Sequence, residues 1–290
     1  MSNTSEIGSL DQSRHASGEV RPALAAGTQF AISRDGTRIA YSRHGNGPAL
    51  ILVDGALCHR TMGPSAALAT ALAGDFTVFS YDRRGRNESG DTLPYASQSE
   101  IEDVEAILRE AGGTAFLWGM SSGAMLAVSA ASQLPGIRKL VTYEAPLIVD
   151  DSRKSTELDW QKVRAAIAAG RRGDAVRAFL ASVGMPRPIM LVMQLLPIWK
   201  TLKAVAHTLP HDGAIVEASQ HGKPLGAGPW EHVAVPTLVT DGGASPTWMR
   251  HGNQALADAI VGARYQTLAK LTHMLDAKAY APTLIAFFKD

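Results

Sequence analysis

The sequence predicts an α/β domain: a mainly parallel sheet with helices on both faces and a helical cap inserted into it. Three observations carry that expectation. The continuous apolar runs Ala49-Leu50-Ile51-Leu52-Val53 and Phe76-Thr77-Val78-Phe79-Ser80-Tyr81 suit strands buried on both faces. Helix-like segments alternate with such runs, and that alternation implies parallel strands joined by crossover helices. It stops between about Pro146 and Trp230, where the patterning is mostly helical, and resumes at Thr237.

Taken in order, Phe30–Ser33 and Arg38–Ser42 are short β-type runs around Asp35-Gly36, a hairpin signal. Gly45-Asn46-Gly47-Pro48 breaks the chain before the strand 49–53. Pro64 to Ala73 reads as a helix, and 76–81 as the next buried strand. Ser97-Gln98-Ser99-Glu100 has capping-box spacing; Ile101, Val104, Leu108 and Ala111 follow at helical spacing, closed by Gly112-Gly113. A strand Ala115–Trp118, a helix Ala124–Ala131 and a strand Lys139–Tyr143 come next.

Within the helical stretch, Val163 pairs with Ile167 and Val176 with Leu180, before an apolar cluster from Ile189 to Trp199. The strand Thr237–Thr240, a helix near Thr247–Ile260, a short strand Tyr265–Leu268 and a helix from about Ala279 to Phe288 close the chain. The expected organisation is a disordered tail over 1–27, a core over 28–145 and 231–290, and a cap over 146–230.

At 290 residues the chain is long enough to bury a substantial core. A net charge of +1 leaves no broad cationic surface for nucleic acid or anionic membrane, so neither is an expected partner. No apolar run is long enough to span a bilayer, and Met1 to Gly27 lacks the apolar h-region of a signal peptide. The single cysteine, Cys58, excludes an intrachain disulfide and fits a reducing, cytoplasmic setting; it reads as a small buried hydrophobe. Neither metal-ligand spacing nor a phosphate-binding glycine loop is visible, and no cofactor is expected.

Gly119-Met120-Ser121-Ser122-Gly123 is a G-x-S-x-G pentapeptide between a strand-like and a helix-like run. A serine on such a turn points its hydroxyl away from the backbone, and the glycines remove Cβ atoms that would clash. The N–H of the next residue, Ser122, then opens a helix and is free to hold an oxyanion. A serine nucleophile needs a base. Of nine histidines, His15 lies in the tail and His207, His211 and His221 in the cap, whereas His273 follows the last short strand and precedes the final helix.

These pieces together resemble the α/β-hydrolases. The matching segments are Asp54-Gly55-Ala56, Tyr81-Asp82-Arg83-Arg84-Gly85-Arg86-Asn87-Glu88-Ser89, the Ser121 elbow, and His273 followed by Ala281-Pro282 and Phe287-Phe288. The resemblance implies the α/β-hydrolase fold, with Ser121 as nucleophile, His273 as base, and the Ala56 and Ser122 N–H groups as oxyanion donors. Chain order suits it, because this fold places the histidine last.

The acid departs from the common pattern. Where the family often has Gly-x-x-Asp-Pro, this chain has Gly242-Gly243-Ala244-Ser245-Pro246, and a serine cannot hold the charge that stabilises an imidazolium. Two carboxylates remain, Glu144 after the strand Lys139–Tyr143 and Asp241 before Gly242. The reading favours Glu144, at a strand's C-terminal end, where open α/β sheets build their sites. Its alternative role is a helix-capping or cap-anchoring carboxylate.

The oxyanion loop also departs, with Asp54-Gly55 in place of the family's usual His-Gly. Asp54 is expected either turned away or hydrogen-bonded by nearby donors. Asp-Gly together with a glutamate acid is similar to the zearalenone-type lactone hydrolases. Arg83, Arg84 and Arg86 are expected to hold neighbouring turns rather than bind an acidic substrate. Trp118 is expected to pack in the sheet, and Met190, Leu191, Met193, Leu195, Leu196 and Trp199 form either cap core or pocket lining.

The function expected is a cofactor-independent serine hydrolase cleaving a carboxylic ester or lactone of a fairly apolar small molecule. The alternatives are a C–C bond hydrolase, which can use the same serine, and a receptor-like ligand-binding protein with little turnover. Oligomeric state stays open, a homodimer included.

Overall fold

A computed structural model describes residues 27–153 and 159–290. The expected tail lies outside these residues except for Gly27, as do residues 154–158 of the expected cap. The strands β1 (Gln29–Ile32), β2 (Arg38–His44), β3 (Ala49–Val53), β4 (Thr77–Tyr81), β5 (Ala115–Met120), β6 (Ile137–Tyr143), β7 (Thr237–Gly242) and β8 (Arg264–Leu268) form one sheet. Their order is β1-β2-β4-β3-β5-β6-β7-β8. The β1–β2 hairpin and the β2–β4 pairing are antiparallel, and the other pairings are parallel.

Strand β3 explains why its run is uninterruptedly apolar. Leu50 and Leu52 enter one core layer with Leu68 and Leu72 of α1 (Pro64–Leu72) and Leu284 and Phe288 of α10 (Ala277–Lys289). Ile51 and Val53 enter the other, with Val104 and Ile107 of α2 (Ser97–Glu110), Leu126 of α3 (Ser122–Ala131) and Leu256 of α9 (Thr247–Ala259). Side chains alternate along a strand, so a strand covered on both faces needs an apolar residue at every position.

Helix α2 forms where expected, but its expected capping box does not. Ala96 is the N-cap and supplies no side-chain hydrogen bond. Glu100 instead is buried and accepts from Arg83 Nε at 2.6 Å and Nη2 at 2.8 Å. A doubled, charge-assisted contact in a buried site outweighs one bond to a backbone N–H. The helix ends at Gly112 and Gly113, with φ of 86° and 84°.

Between β6 and β7 lie α4 (Trp160–Ala168), α5 (Arg172–Ser182), α6 (Arg187–Met193), α7 (Pro197–Val205) and α8 (Leu209–Val216). The first is capped by Asp159, whose carboxylate accepts from Lys162 N at 3.1 Å. The apolar cluster of this region divides. Met190 and Trp199 are buried and Met193 packs against the core, but Leu191, Leu195 and Leu196 are exposed. Seven residues of α6 make two turns, enough to bury one face only. Among the described residues, no single helix is long and apolar enough to cross a membrane.

Candidate active site

The C-terminal ends of β5, β6 and β7 converge, and the loops leaving them carry the predicted residues. Ser121 follows β5 with φ 56° and ψ −128°. Glu144 follows β6 with φ 49°. Non-glycine residues reach positive φ only under constraint, at a cost of about 1–3 kcal/mol each. The constraints are visible: Ser121 N donates to Tyr143 O at 3.0 Å and Glu144 N to Thr240 O at 3.0 Å. Beyond Glu144, Asn253 of α9 brackets Ala145, accepting from its N at 3.0 Å and donating to its O at 3.2 Å.

The elbow needs its glycines for space. A Cβ on Gly119 would lie 2.4 Å from Gly123 O and 2.7 Å from Ala127 Cβ; one on Gly123 would lie 2.4 Å from Val53 O. The oxyanion loop crosses equally close, since a Cβ on Gly55 would stand 2.9 Å from Ser121 Cβ. Ala56 therefore follows directly on backbone that touches the serine, and Ser122 opens α3, where the first N–H groups have no intrahelical acceptor.

Glu144 is fully buried, and its two oxygens have separate tasks. Oε1 accepts from Gly242 N at 2.9 Å and from the Ser245 hydroxyl. Oε2 lies 2.7 Å from His273 Nδ1. With a carboxylate as acceptor, Nδ1 carries the proton and donates, which leaves the Nε2 lone pair free to take one. The His273 side chain is 44% exposed, so one face of the ring remains open. Its loop is held by Tyr143, whose hydroxyl donates to Thr272 O at 2.7 Å, and packs on Gly242, where a Cβ would meet Leu271 O at 2.3 Å. Ser121 Oγ and His273 share no hydrogen bond among the described residues.

Asp241 is placed otherwise. Its Oδ2 accepts from Tyr265 of β8 at 2.5 Å, and burial raises its pKa. Asp54 is buried beneath the oxyanion loop and accepts from Ser65 N at 3.2 Å and from the Ser65 hydroxyl. Burial lifts its carboxyl to about 6, against the opposing pull of the Ser65 contacts and of Arg86 and Arg83.

The three arginines of the loop after β4 are all buried and paired. Arg84 donates to Asp103 of α2 at 2.8 and 2.7 Å. Arg83 and Arg86 converge on Asp212 of α8, a residue that no sequence motif marks. Arg83 Nη1 lies 2.8 Å from Asp212 Oδ1, and Arg86 Nη2 lies 2.9 and 2.8 Å from the two oxygens. Ser122 Oγ donates to Asp212 Oδ1 at 2.7 Å. No local pattern marks Asp212, because its partners stand 90, 126 and 129 positions away. Ser245 was visible only as a missing acid; its role as a donor to Glu144 depends on how the β7 loop folds back.

The remaining candidates lie apart. Trp118 is buried in the sheet and donates to the Tyr280 hydroxyl at 3.3 Å. His211 stacks on Tyr95 with ring centres 3.8 Å apart. Cys58 is half-buried, and burial pushes its thiol up to about 12. An open cavity of about 670 Å³ on α5 and α7, lined by Arg171, Arg172, Arg177, Trp199, Lys200 and Lys203, includes none of the residues around Ser121. Among the described residues, no group of three His, Cys, Asp or Glu side chains could hold a metal ion.

The model of the alpha/beta hydrolase family matches residues 44–282. N-formylmaleamate deformylase of Pseudomonas putida is 34% identical over 162 residues, covering 52% of this chain and 58% of that enzyme. The match thus spans little more than half of that relative. Among solved structures, an alpha/beta hydrolase from Sphaerobacter thermophilus is 48% identical with a TM-score of 0.82, over 90% of this chain and 100% of that one. The enol-lactonase from Burkholderia xenovorans is 21% identical with a TM-score of 0.68, over 90% of this chain and 100% of that one, a likeness of fold alone.

Proposed function

The chain belongs to the alpha/beta hydrolase family, and we propose that within it the protein is a cofactor-independent serine hydrolase cleaving a carboxylic ester or lactone of a small, fairly apolar molecule. The observation that carries this reading is the 2.7 Å contact between His273 Nδ1 and Glu144 Oε2 at the end of the strand beside the Ser121 elbow. Ser121 Oγ attacks the carbonyl carbon while His273 Nε2 takes its proton. Glu144 holds the ring's tautomer and stabilises the imidazolium that forms. The Ala56 and Ser122 N–H groups receive the developing oxyanion. His273 returns the proton to the leaving alkoxide, and water, activated by the same base, releases the acid. The strain at Ser121 keeps the hydroxyl clear of the backbone throughout. A single cysteine in the chain suits work in a reducing compartment such as the cytoplasm.

A second reading has one specific support. The 34% identity to N-formylmaleamate deformylase favours hydrolytic removal of an N-formyl group by the same machinery. The experiment uses the full chain with p-nitrophenyl butyrate, a panel of aliphatic lactones, and N-formyl amides, alongside an alkyl fluorophosphonate. Steady ester or lactone turnover with stoichiometric labelling of Ser121, both lost in Ser121→Ala, is the expected result. Turnover confined to the formyl amides would move the assignment to the second reading. Turnover that survives Ser121→Ala would sink the mechanism.

A further inference from the structure

We infer that Asp212, on the cap helix α8, is a positioning residue for the oxyanion hole, and that its carboxylate is the common reference for both backbone donors. This deepens the hydrolase reading above and rests on it. The Gly55 carbonyl and the Ala56 N–H belong to one planar trans peptide and point in opposite directions. Whatever fixes the carbonyl therefore aims the N–H. Arg86 Nη1 donates to Gly55 O at 2.6 Å and to Cys58 O at 3.1 Å, gripping the loop on both sides of Ala56. A charged donor on the carbonyl also polarises the amide and strengthens its N–H as a donor.

Arg86 is in turn set by Asp212, whose two oxygens both lie within 2.9 Å of Nη2. The same Asp212 Oδ1 accepts from Ser122 Oγ, which fixes the side chain of the residue that carries the second donor. Arg83 Nη1 closes the unit: it lies 2.8 Å from Asp212 Oδ1, 3.2 Å from Ser122 Oγ and 3.3 Å from Asp54 O. Asp212 is 0% exposed, Arg83 and Arg86 1% and Ser122 3%, so these contacts act in a low dielectric and hold their geometry. Burial alone would raise the Asp212 carboxyl; Arg86 and Arg83 hold it below the usual carboxylate range.

Arg86 also ties the region just before α8 to the loop after β4. Arg86 Nε donates to Thr208 Oγ1 at 3.2 Å just before α8, and a Cβ on Gly85 would stand 2.8 Å from Thr208 Cγ2. A displacement of α8 reaches both oxyanion donors together.

The test compares Asp212→Asn and Ser122→Ala with Asp103→Asn, which removes an equally buried arginine partner that pairs with Arg84 rather than with Arg83, Arg86 or Ser122. Each is assayed with p-nitrophenyl butyrate for kcat and KM, for affinity toward an alkyl boronic acid that mimics the tetrahedral adduct, and for Tm. Removing an oxyanion donor outright costs about 10²–10³-fold in kcat, so misaiming both is expected to cost Asp212→Asn about 10–100-fold, with KM little changed. Boronate affinity should fall by a similar factor. Ser122→Ala, which keeps its N–H and folds more readily, is expected to lose about fivefold in both readouts on the same scale. Asp103→Asn should lower Tm while keeping kcat and boronate affinity. The inference is overturned if Asp212→Asn behaves like Asp103→Asn, or, should Asp212→Asn fail to fold, if Ser122→Ala retains wild-type kcat and boronate affinity. A wild type with neither turnover nor labelling at Ser121 sinks the hydrolase reading and this inference together; an active wild type with unaffected variants sinks this inference alone.

Discussion

Ser245 donates its hydroxyl to Glu144 Oε1, so the serine standing where the family's aspartate is usually found holds a carboxylate that faces the histidine from another strand. The two residues are 101 positions apart and share a buried site. Ser245 cannot stabilise an imidazolium, but it can stop the Glu144 carboxylate from rotating, and Gly242 N does the same from the adjacent position. Ser245→Ala is expected to lower kcat about tenfold, because one of the two hydrogen bonds that Glu144 Oε1 accepts is lost. The double variant Glu144→Gln/Ser245→Asp should recover part of the activity that Glu144→Gln loses, by returning a carboxylate to the usual strand. Steady-state kinetics on the three variants check both expectations, and a double variant no better than Glu144→Gln would show that the β7 loop cannot reach His273.

Glu144 and Asp241 offer a sharper contrast. They lie side by side on neighbouring strand ends, yet one contacts His273 and the other Tyr265. Glu144→Gln replaces an acceptor by an amide that can hold the ring in the wrong tautomer, a change that costs about 10⁴-fold in kcat in serine proteases. Asp241→Asn should leave kcat within about threefold and lower stability by about 1–2 kcal/mol, the scale of one impaired buried hydrogen bond. Urea unfolding and kcat on both proteins separate the roles; the reverse pattern would transfer the acid to Asp241.

The sequence showed some of this and hid the rest for physical reasons. Strand β3 was legible because burial on both faces leaves no polar position to confuse the pattern. The elbow was legible because close approach of three backbone segments admits only glycine at 119 and 123. Glu144 and His273 could be matched because each follows a strand at the same end of the sheet. The capping box misled, since Glu100 is claimed by Arg83 from 17 positions upstream. Asp212 was invisible: nothing within its own helix distinguishes it, and its contacts with Arg83, Arg86 and Ser122 depend on where α8 docks. The apolar cluster around Leu195 was ambiguous because two helical turns bury only some of their side chains.

The buried Asp54 predicts a pH dependence of stability. Its carboxyl is raised to about 6 in the folded protein against 3.8 for the free group, chiefly by burial. A carboxyl with a raised folded pKa contributes stability that is present in full below pH 3.8 and is lost as pH rises through about 6. In Asp54→Asn that loss disappears, while the amide oxygen can still accept from Ser65 N. The stability of Asp54→Asn relative to wild type should therefore rise between pH 4 and 7, by about 3 kcal/mol in total on the scale of 1.4 kcal/mol per pKa unit. Urea titrations at closely spaced pH values check this. A difference that stays flat would mean that Asp54 is ionised throughout.

Gly123 predicts a coupling between packing and reactivity. A Cβ there would lie 2.4 Å from Val53 O and 2.5 Å from Asp54 O, both backbone atoms of the strand end that leads into the oxyanion loop. Neither can swing aside as a flexible side chain would, so the loop itself must move away from α3. Gly136→Ala makes a comparable intrusion, 2.3 Å from Gly113 O, at the opposite end of β5 and β6. Overpacking of this kind costs about 1–3 kcal/mol, and both variants should lose stability in that range. Only Gly123→Ala should also lose kcat, because it separates Ala56 from Ser122 and spoils the geometry in which two N–H groups meet one oxygen. Equal kcat in the two variants, at matched Tm loss, would show that the loop absorbs the shift before it reaches Ala56.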